Sequence, residues 1–262
     1  MFLSKSTYKK FPSWGKKYPN GTVSLNKIKF DRSWKPMMKL LFNDPKFEIT
    51  EKELTKVLED DSNAIVHPAP DLLFNAFKLT SLNKVKVVII GQDPYFKNES
   101  GVHQAMGLSF SVALGLQVPD SLHNIYKNLI KFKHIKQIPT HGNLEFWALQ
   151  GCLMLNTSLT VIDGSNNKNC HQAIWKWFTD KVIRYISENV DHVVFVLWGA
   201  HAIEKMNLID LDKHEISASS HPSGFSVNNT VKSYQAFADC DHFGKVNQCL
   251  REWDIDEICW HP

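Results

Sequence analysis

The chain has 262 residues, 43% hydrophobic and 22% charged, with a formal net charge of only +3. That is ordinary globular composition, enough for one sizeable core or two small ones. No apolar run reaches the roughly 18 residues that span a bilayer, so no membrane-spanning helix is expected.

The opening MFLSKSTYKK turns polar too soon for a secretory signal, and its basic residues are all lysine, a poor match to a transit peptide. Lys5, Lys9, Lys10, Lys16, Lys17, Lys27 and Lys29 all precede the first acid, Asp31, and Tyr8, Phe11, Trp14 and Tyr18 interleave with them. Residues 1–30 are therefore read as a basic N-terminal extension, either a solvated tail or an arm drawn to a polyanion, and 31–262 as a single domain.

SWKPMMKLLF (33–42) reads as helical. VKVVIIG (85–91) is apolar on both faces and rich in β-branched residues, as a central parallel strand is. SLHNIYKNLIKF (121–132) carries a helical stripe at Leu122, Ile125, Tyr126 and Leu129, with Ser121 in the N-cap position. A strand is read at CLMLNTSLTV (152–161), and a helix at 171–189 aligns Ile174, Trp177, Phe178, Val182 and Ile186. VVFVLWG (193–199) and HEISAS (214–219) read as two more strands, and DHFGKVNQCLREW (241–253) as a closing helix. Strands alternating with helices give an α/β fold, a three-layer α/β/α sandwich around a central, mainly parallel four-stranded sheet. Ligands in such folds sit beyond the carboxyl ends of the strands. Here those ends run into Gln92-Asp93-Pro94-Tyr95, Asn156, Trp198-Gly199 and Ser219-Ser220-His221-Pro222.

The five cysteines, Cys152, Cys170, Cys240, Cys249 and Cys259, form no C-x-x-C pair and read as reduced thiols of an intracellular protein. Cys170-His171 and Cys240-Asp241-His242 lack a second ligand pair at structural-zinc spacing, so no metal is expected.

GQDPYF (91–96), GLSFS (107–111), LMLNTSLTV (153–161), VLWGAHA (196–202) and SSHPSGFS (219–226) occur in one order. Together with SWK (33–35) and the segment 66–91, they resemble the motifs of a family-1 uracil-DNA glycosylase over roughly residues 31–260. The resemblance implies a monofunctional enzyme of base excision repair that flips uracil out of DNA, hydrolyses its N-glycosidic bond and leaves an abasic site. Asp93 would be the carboxylate that stabilises the cationic sugar and orients or deprotonates water. His221 would be a neutral donor to the uracil oxygen. Asn156 would read the pyrimidine edge, since cytosine presents the reverse hydrogen-bonding pattern. Tyr95 would exclude the thymine methyl, Phe110 would stack on the base, and Gln92 would add contacts at the uracil oxygen. Phe225 would act as the wedge at a position usually held by leucine. Ser121, Gly199, Ser223 and Ser226 would grip the DNA backbone.

The resemblance implies no metal or organic cofactor. The partner is uracil-containing single- and double-stranded DNA. A replication or repair protein partner is left open, and a monomer in the nucleus or cytoplasm is expected. Phe96, Ala200 and Asn229 depart from the family pattern, the proline-rich loop before Ser121 is thinned, and 97–103 is longer than usual. All of these fall on the DNA-gripping surface. They keep a second reading open, a catalytically weak glycosylase-fold module for DNA binding or polymerase support, against which the intact Asp93, Asn156 and His221 argue.

Overall fold

The computed structural model describes residues 11–61, 63–99, 102–163 and 171–262. Its centre is a parallel sheet of β1 (Val87–Gly91), β2 (Cys152–Asn156), β3 (Val194–Trp198) and β4 (Glu215–Ser219), in the order β2-β1-β3-β4. All four sequence-expected strands are present, each trimmed by a residue or more. CLMLNTSLTV is divided: its last residue, Val161, starts a separate short ribbon that pairs with Val66–His67. Val87–Ile90 on β1 and Val194–Leu197 on β3 are all at most 2% exposed, which explains why their sequences are apolar without alternation.

The helices that matter here are α1 (Lys35–Phe42), α2 (Pro45–Asp60), α3 (Asp120–Lys131), α4 (Gln172–Asn189) and α5 (His242–Glu252). α4 packs on α1 and α2, while α5 packs on β3 and β4, completing the α/β sandwich. α2 is not among the helices expected from the sequence. Its buried stripe is narrow, Phe47, Thr50, Leu54 and Leu58, with a threonine in place of an apolar residue. The start signals are nevertheless present: the Asp44 side chain accepts from Lys46 N–H, and Pro45 occupies the first turn. The N-cap of α3 lies two residues earlier than expected. Pro119 stands at the N-cap, so Ser121 is the second helical residue and not the cap.

The boundary at residue 30 is corrected by packing. Trp14, Val23, Leu25 and Ile28 are all at most 3% exposed and join the main core. Trp14 Nε1–H donates to Pro68 O at 2.8 Å, Leu25 N–H to Glu51 Oε1 at 2.6 Å, and Val23 N–H to Thr55 Oγ1 at 2.9 Å. Lys17 is paired with Asp71, so its charge faces the protein. The residues Trp14, Val23, Leu25 and Ile28, set between the lysines, are thus core residues of the same body. Lys5, Tyr8, Lys9, Lys10 and Cys170 lie outside the described residues.

Cys240, Asp241 and His242 belong to the closing helix and its approach. Asp241 caps α5 through Gly244 N–H and meets His134 at 2.6 Å, while His242 is buried with Nδ1 2.8 Å from Ser217 Oγ.

This packing makes the N-terminal segment a test of stability. A chain beginning at residue 31 leaves the sites of Trp14, Leu25 and Ile28 uncovered, each worth about 1.5–3 kcal/mol of burial. Its urea midpoint should fall by a wide margin; an unchanged midpoint would show that residues 11–30 are an appendage after all.

Acid should weaken the fold through its buried histidines, His171 and His242 among them. Loss of water around the ring is the first cause in both: His171 is pushed down to about 4 and His242 to about 3, from an ordinary 6.5. Between pH 6.5 and 4 the unfolded chain binds protons that the folded chain refuses, so stability falls as the solution is acidified. Each such histidine steepens the fall by up to about 1.4 kcal/mol per pH unit. Urea midpoints at pH 7.5, 6 and 5 check this, with His171→Gln expected to flatten the slope.

Candidate active site

The register between β1 and β2 sets Gly91 opposite Asn156. A Cβ on Gly91 would collide with Asn156 Oδ1 and lie 2.8 Å from Ser109 Cβ, so the Asn156 amide occupies the space that any other residue at 91 would need. The pairing continues past the strands. Gly91 O accepts from Thr157 N–H at 3.0 Å, and Gln92 O accepts from both Ser158 N–H and Thr157 Oγ1–H at 2.9 Å. The chain is thus pinned up to the peptide that joins Gln92 to Asp93. Pro94 behind it is buried, and Gln92, Asp93 and Tyr95 are half-buried. The Tyr95 hydroxyl is buried with no hydrogen-bond partner among the described residues. Its pKa is raised, first by burial and then by Tyr126, Asp120 and Asp93.

Phe110 reaches the same region from a strained backbone. Its φ is 61°, a left-handed conformation uncommon for a bulky residue. Neighbouring hydrogen bonds hold it there: Ser109 N–H to Met154 O at 3.1 Å, Ser109 Oγ–H to Ile89 O at 3.1 Å, and Leu144 N–H to Ser111 Oγ at 3.0 Å. The Phe110 ring lies 5.3 Å from that of Trp198 at the end of β3 and 5.9 Å from the imidazole of His221.

His221 lies just beyond β4. Gly199, at φ 92°, donates its N–H to Ser219 O at 2.8 Å, and a Cβ there would lie 3.0 Å from His221 Cβ. The two strand ends are therefore in direct contact beside the imidazole. His221 Nδ1 accepts from Ser223 N–H at 3.0 Å, so in the neutral ring the proton sits on Nε2. Burial pushes its pKa down to about 4, which keeps the ring neutral at pH 7.

The residues expected to grip DNA fall in two places. Ser223, Phe225 and Ser226 share the loop after His221, where Ser223 O accepts from Ser226 N–H and Val227 N–H at 2.9 Å. Phe225 is 95% exposed, the most exposed large hydrophobic side chain among the described residues. Asn229 donates its amide to Phe225 O at 2.7 Å and so stiffens that tip. Ser121 lies elsewhere, at the start of α3, where it lines a cavity of about 420 Å³ together with Tyr95, Phe96, Lys97, Gln117 and Asp120. Beyond Lys97 the chain doubles back, with Asn98–Glu99 paired to Val102–His103. Asn124 of α3 joins the two places by donating to Pro222 O at 2.9 Å. A larger cavity, about 1010 Å³, lies at the opposite, amino end of the sheet beside Lys84, Lys86 and Gln150 and contains none of these residues.

Sequence reasoning misses Asn124, Lys97, Thr157 and His201. Thr157 and His201 lie inside quoted motifs but carry no familiar role, and the contact of Asn124 with Pro222 joins residues far apart in the chain.

A family model described as the uracil DNA glycosylase superfamily matches residues 77–251. The chain belongs to this family. The probable uracil-DNA glycosylase of Acanthamoeba polyphaga mimivirus is 40% identical over 262 aligned residues, covering 95% of this chain and 70% of that protein. The uracil-DNA glycosylase of Francisella philomiragia is 49% identical over 196 residues, covering 74% of this chain and 84% of its own. The crystal structure of mimivirus uracil-DNA glycosylase superposes with a TM-score of 0.92 at 39% identity, covering 98% of this chain and 96% of that one.

For a glycosylase built this way, Gly91→Ala should displace the Asn156 amide without disturbing the buried strand behind it. The expected loss in kcat/KM on a uracil-containing oligonucleotide is about tenfold or more, because a misplaced polar reader leaves buried groups unpaired. An Ala variant with wild-type kcat/KM would show that Asn156 is not held by this contact.

Proposed function

We propose that this uracil-DNA glycosylase extrudes the target nucleotide from single- or double-stranded DNA and hydrolyses its glycosidic bond with Asp93 and His221, leaving an abasic site. Water attacks C1′ of the deoxyribose as the C1′–N1 bond breaks, and the electron pair of that bond leaves with uracil. Asp93 stabilises the cationic sugar and takes the proton of the attacking water. The negative charge that develops on the uracil oxygen is met by Nε2–H of a neutral His221.

The observation that carries this reading is the state of His221. An imidazole whose Nδ1 is occupied by Ser223 N–H, and which burial holds at about 4, is a neutral Nε2–H donor at physiological pH. Such a donor suits a developing oxyanion and needs no proton transfer to act.

Asn156 reads the base by accepting from N3–H and donating to O4. Tyr95 excludes the thymine methyl, Phe110 stacks on the ring, and Gln92 adds contacts at the uracil oxygen. Phe225 fills the gap in the duplex, for which its 95% exposure suits it. Ser121, Gly199, Ser223 and Ser226 hold backbone phosphates.

A uracil-release assay with thymine and cytosine controls tests the proposal. Asp93→Asn should lower kcat by about 10²–10⁴-fold while DNA binding persists. Asn156→Asp should relax discrimination against cytosine. Phe225→Ala should slow release from duplex more than from single strands, where there is no stack to fill. An Asp93→Asn enzyme of near-wild-type rate would remove the carboxylate from the mechanism.

A further inference from the structure

Behind the peptide that precedes Asp93 lies a chain of side chains to which the proposed mechanism gives no role. The Gln92 carbonyl cannot donate, so the 2.9 Å contact with Thr157 Oγ1 uses the single hydroxyl proton of Thr157. Thr157 Oγ1 also lies 3.1 Å from His201 Nε2. With its proton already committed, the hydroxyl can only accept there, so His201 carries its proton on Nε2. Gln172 Nε2, on the first residue of α4, is placed 2.9 Å from the same nitrogen and 3.4 Å from His201 Nδ1; two donors cannot face each other, so the amide is assigned the flipped orientation, with its oxygen toward that N–H. Thr157 is 1% exposed, and its own carbonyl accepts from Thr179 Oγ1–H at 2.9 Å, which fixes it to α4 as well. The Gln92 carbonyl receives a second bond from Ser158 N–H at 2.9 Å, so both of its lone pairs are used.

We infer that His201 is a positioning residue for Asp93, acting through Thr157 and the Gln92 carbonyl. The inference rests on the role proposed for Asp93. The Gln92–Asp93 peptide plane helps decide where the Asp93 carboxylate points, and this plane is braced by Thr157 and Ser158, just beyond β2. His201, by donating to Oγ1, holds the Thr157 hydroxyl in its donating rotamer. His201 stands on the short helix Ala200–Ile203 directly after Gly199, so the brace links the Asp93 loop to the strand end that abuts His221. The two halves of the site are thereby held at a fixed spacing by groups that never touch the base.

The test measures uracil release from a single-stranded oligonucleotide, with thermal unfolding monitored alongside. Thr157→Val and His201→Phe should each lower kcat by about tenfold with KM changed by less than about twofold, as expected for a displaced catalytic group. Thr157→Ser and His201→Gln keep a hydroxyl or an N–H donor and should restore most of kcat. The Thr157→Val/His201→Phe double variant should be no slower than the slower single one, because both remove the same brace. A Thr157→Val enzyme with wild-type kcat, or losses that multiply in the double variant, would overturn the inference. Asp93→Asn assayed in parallel separates the two proposals. An inactive Asp93→Asn beside a fully active Thr157→Val rejects the brace alone, whereas an active Asp93→Asn rejects both.

Discussion

The contact of the Asn156 amide with the face of Gly91 is the constraint on which the site depends. Two parallel strands end level, and the residue opposite Asn156 has no side chain. That gap lets a polar amide stand at the end of a fully buried strand. Because β1 is central, with β2 on one side and β3 on the other, the Gln92–Tyr95 segment emerges between the ends of its neighbours. The sheet therefore does more than bury apolar surface: its register decides which chemical groups meet.

The electrostatic design has its origin in the same burial. Cleavage of a glycosidic bond separates a sugar cation from a base anion, so opposite charges must be met on the two sides of one bond. Burial and the Ser223 amide hold His221 neutral with its proton on Nε2. Fixed dipoles of this kind need little reorganisation during reaction.

Much of this is legible in the sequence because parallel strands buried on both faces read as unbroken apolar runs, and the polar residues that end them stand out. Asp93 and Asn156 stand out for that reason, whereas His221 follows a more polar strand, EISAS, and stands out through its His-Pro-Ser sequence. The N-terminal segment misleads because lysines between aromatic residues look like a polyanion-binding arm, whereas Trp14 and Leu25 turn inward to the core. α2 is hidden by the threonine that interrupts its stripe. The Thr157–His201–Gln172 chain is invisible because Thr157 and Gln172 belong to one crossover and His201 follows the next strand, so they meet only once the sheet has formed.

The departures from the family pattern take on a different meaning in the folded chain. Asn229, one of the departures, donates to the Phe225 carbonyl and so supports the exposed tip of its own loop. In the lengthened segment, His103 meets His67 at 2.8 Å, and Glu99 accepts from Gln117 N–H at 3.4 Å, tying it to the loop before α3. Both changes add contacts within the surface itself. A stiffer surface has less conformational entropy to lose when DNA is bound, so fewer direct phosphate contacts are needed for the same affinity.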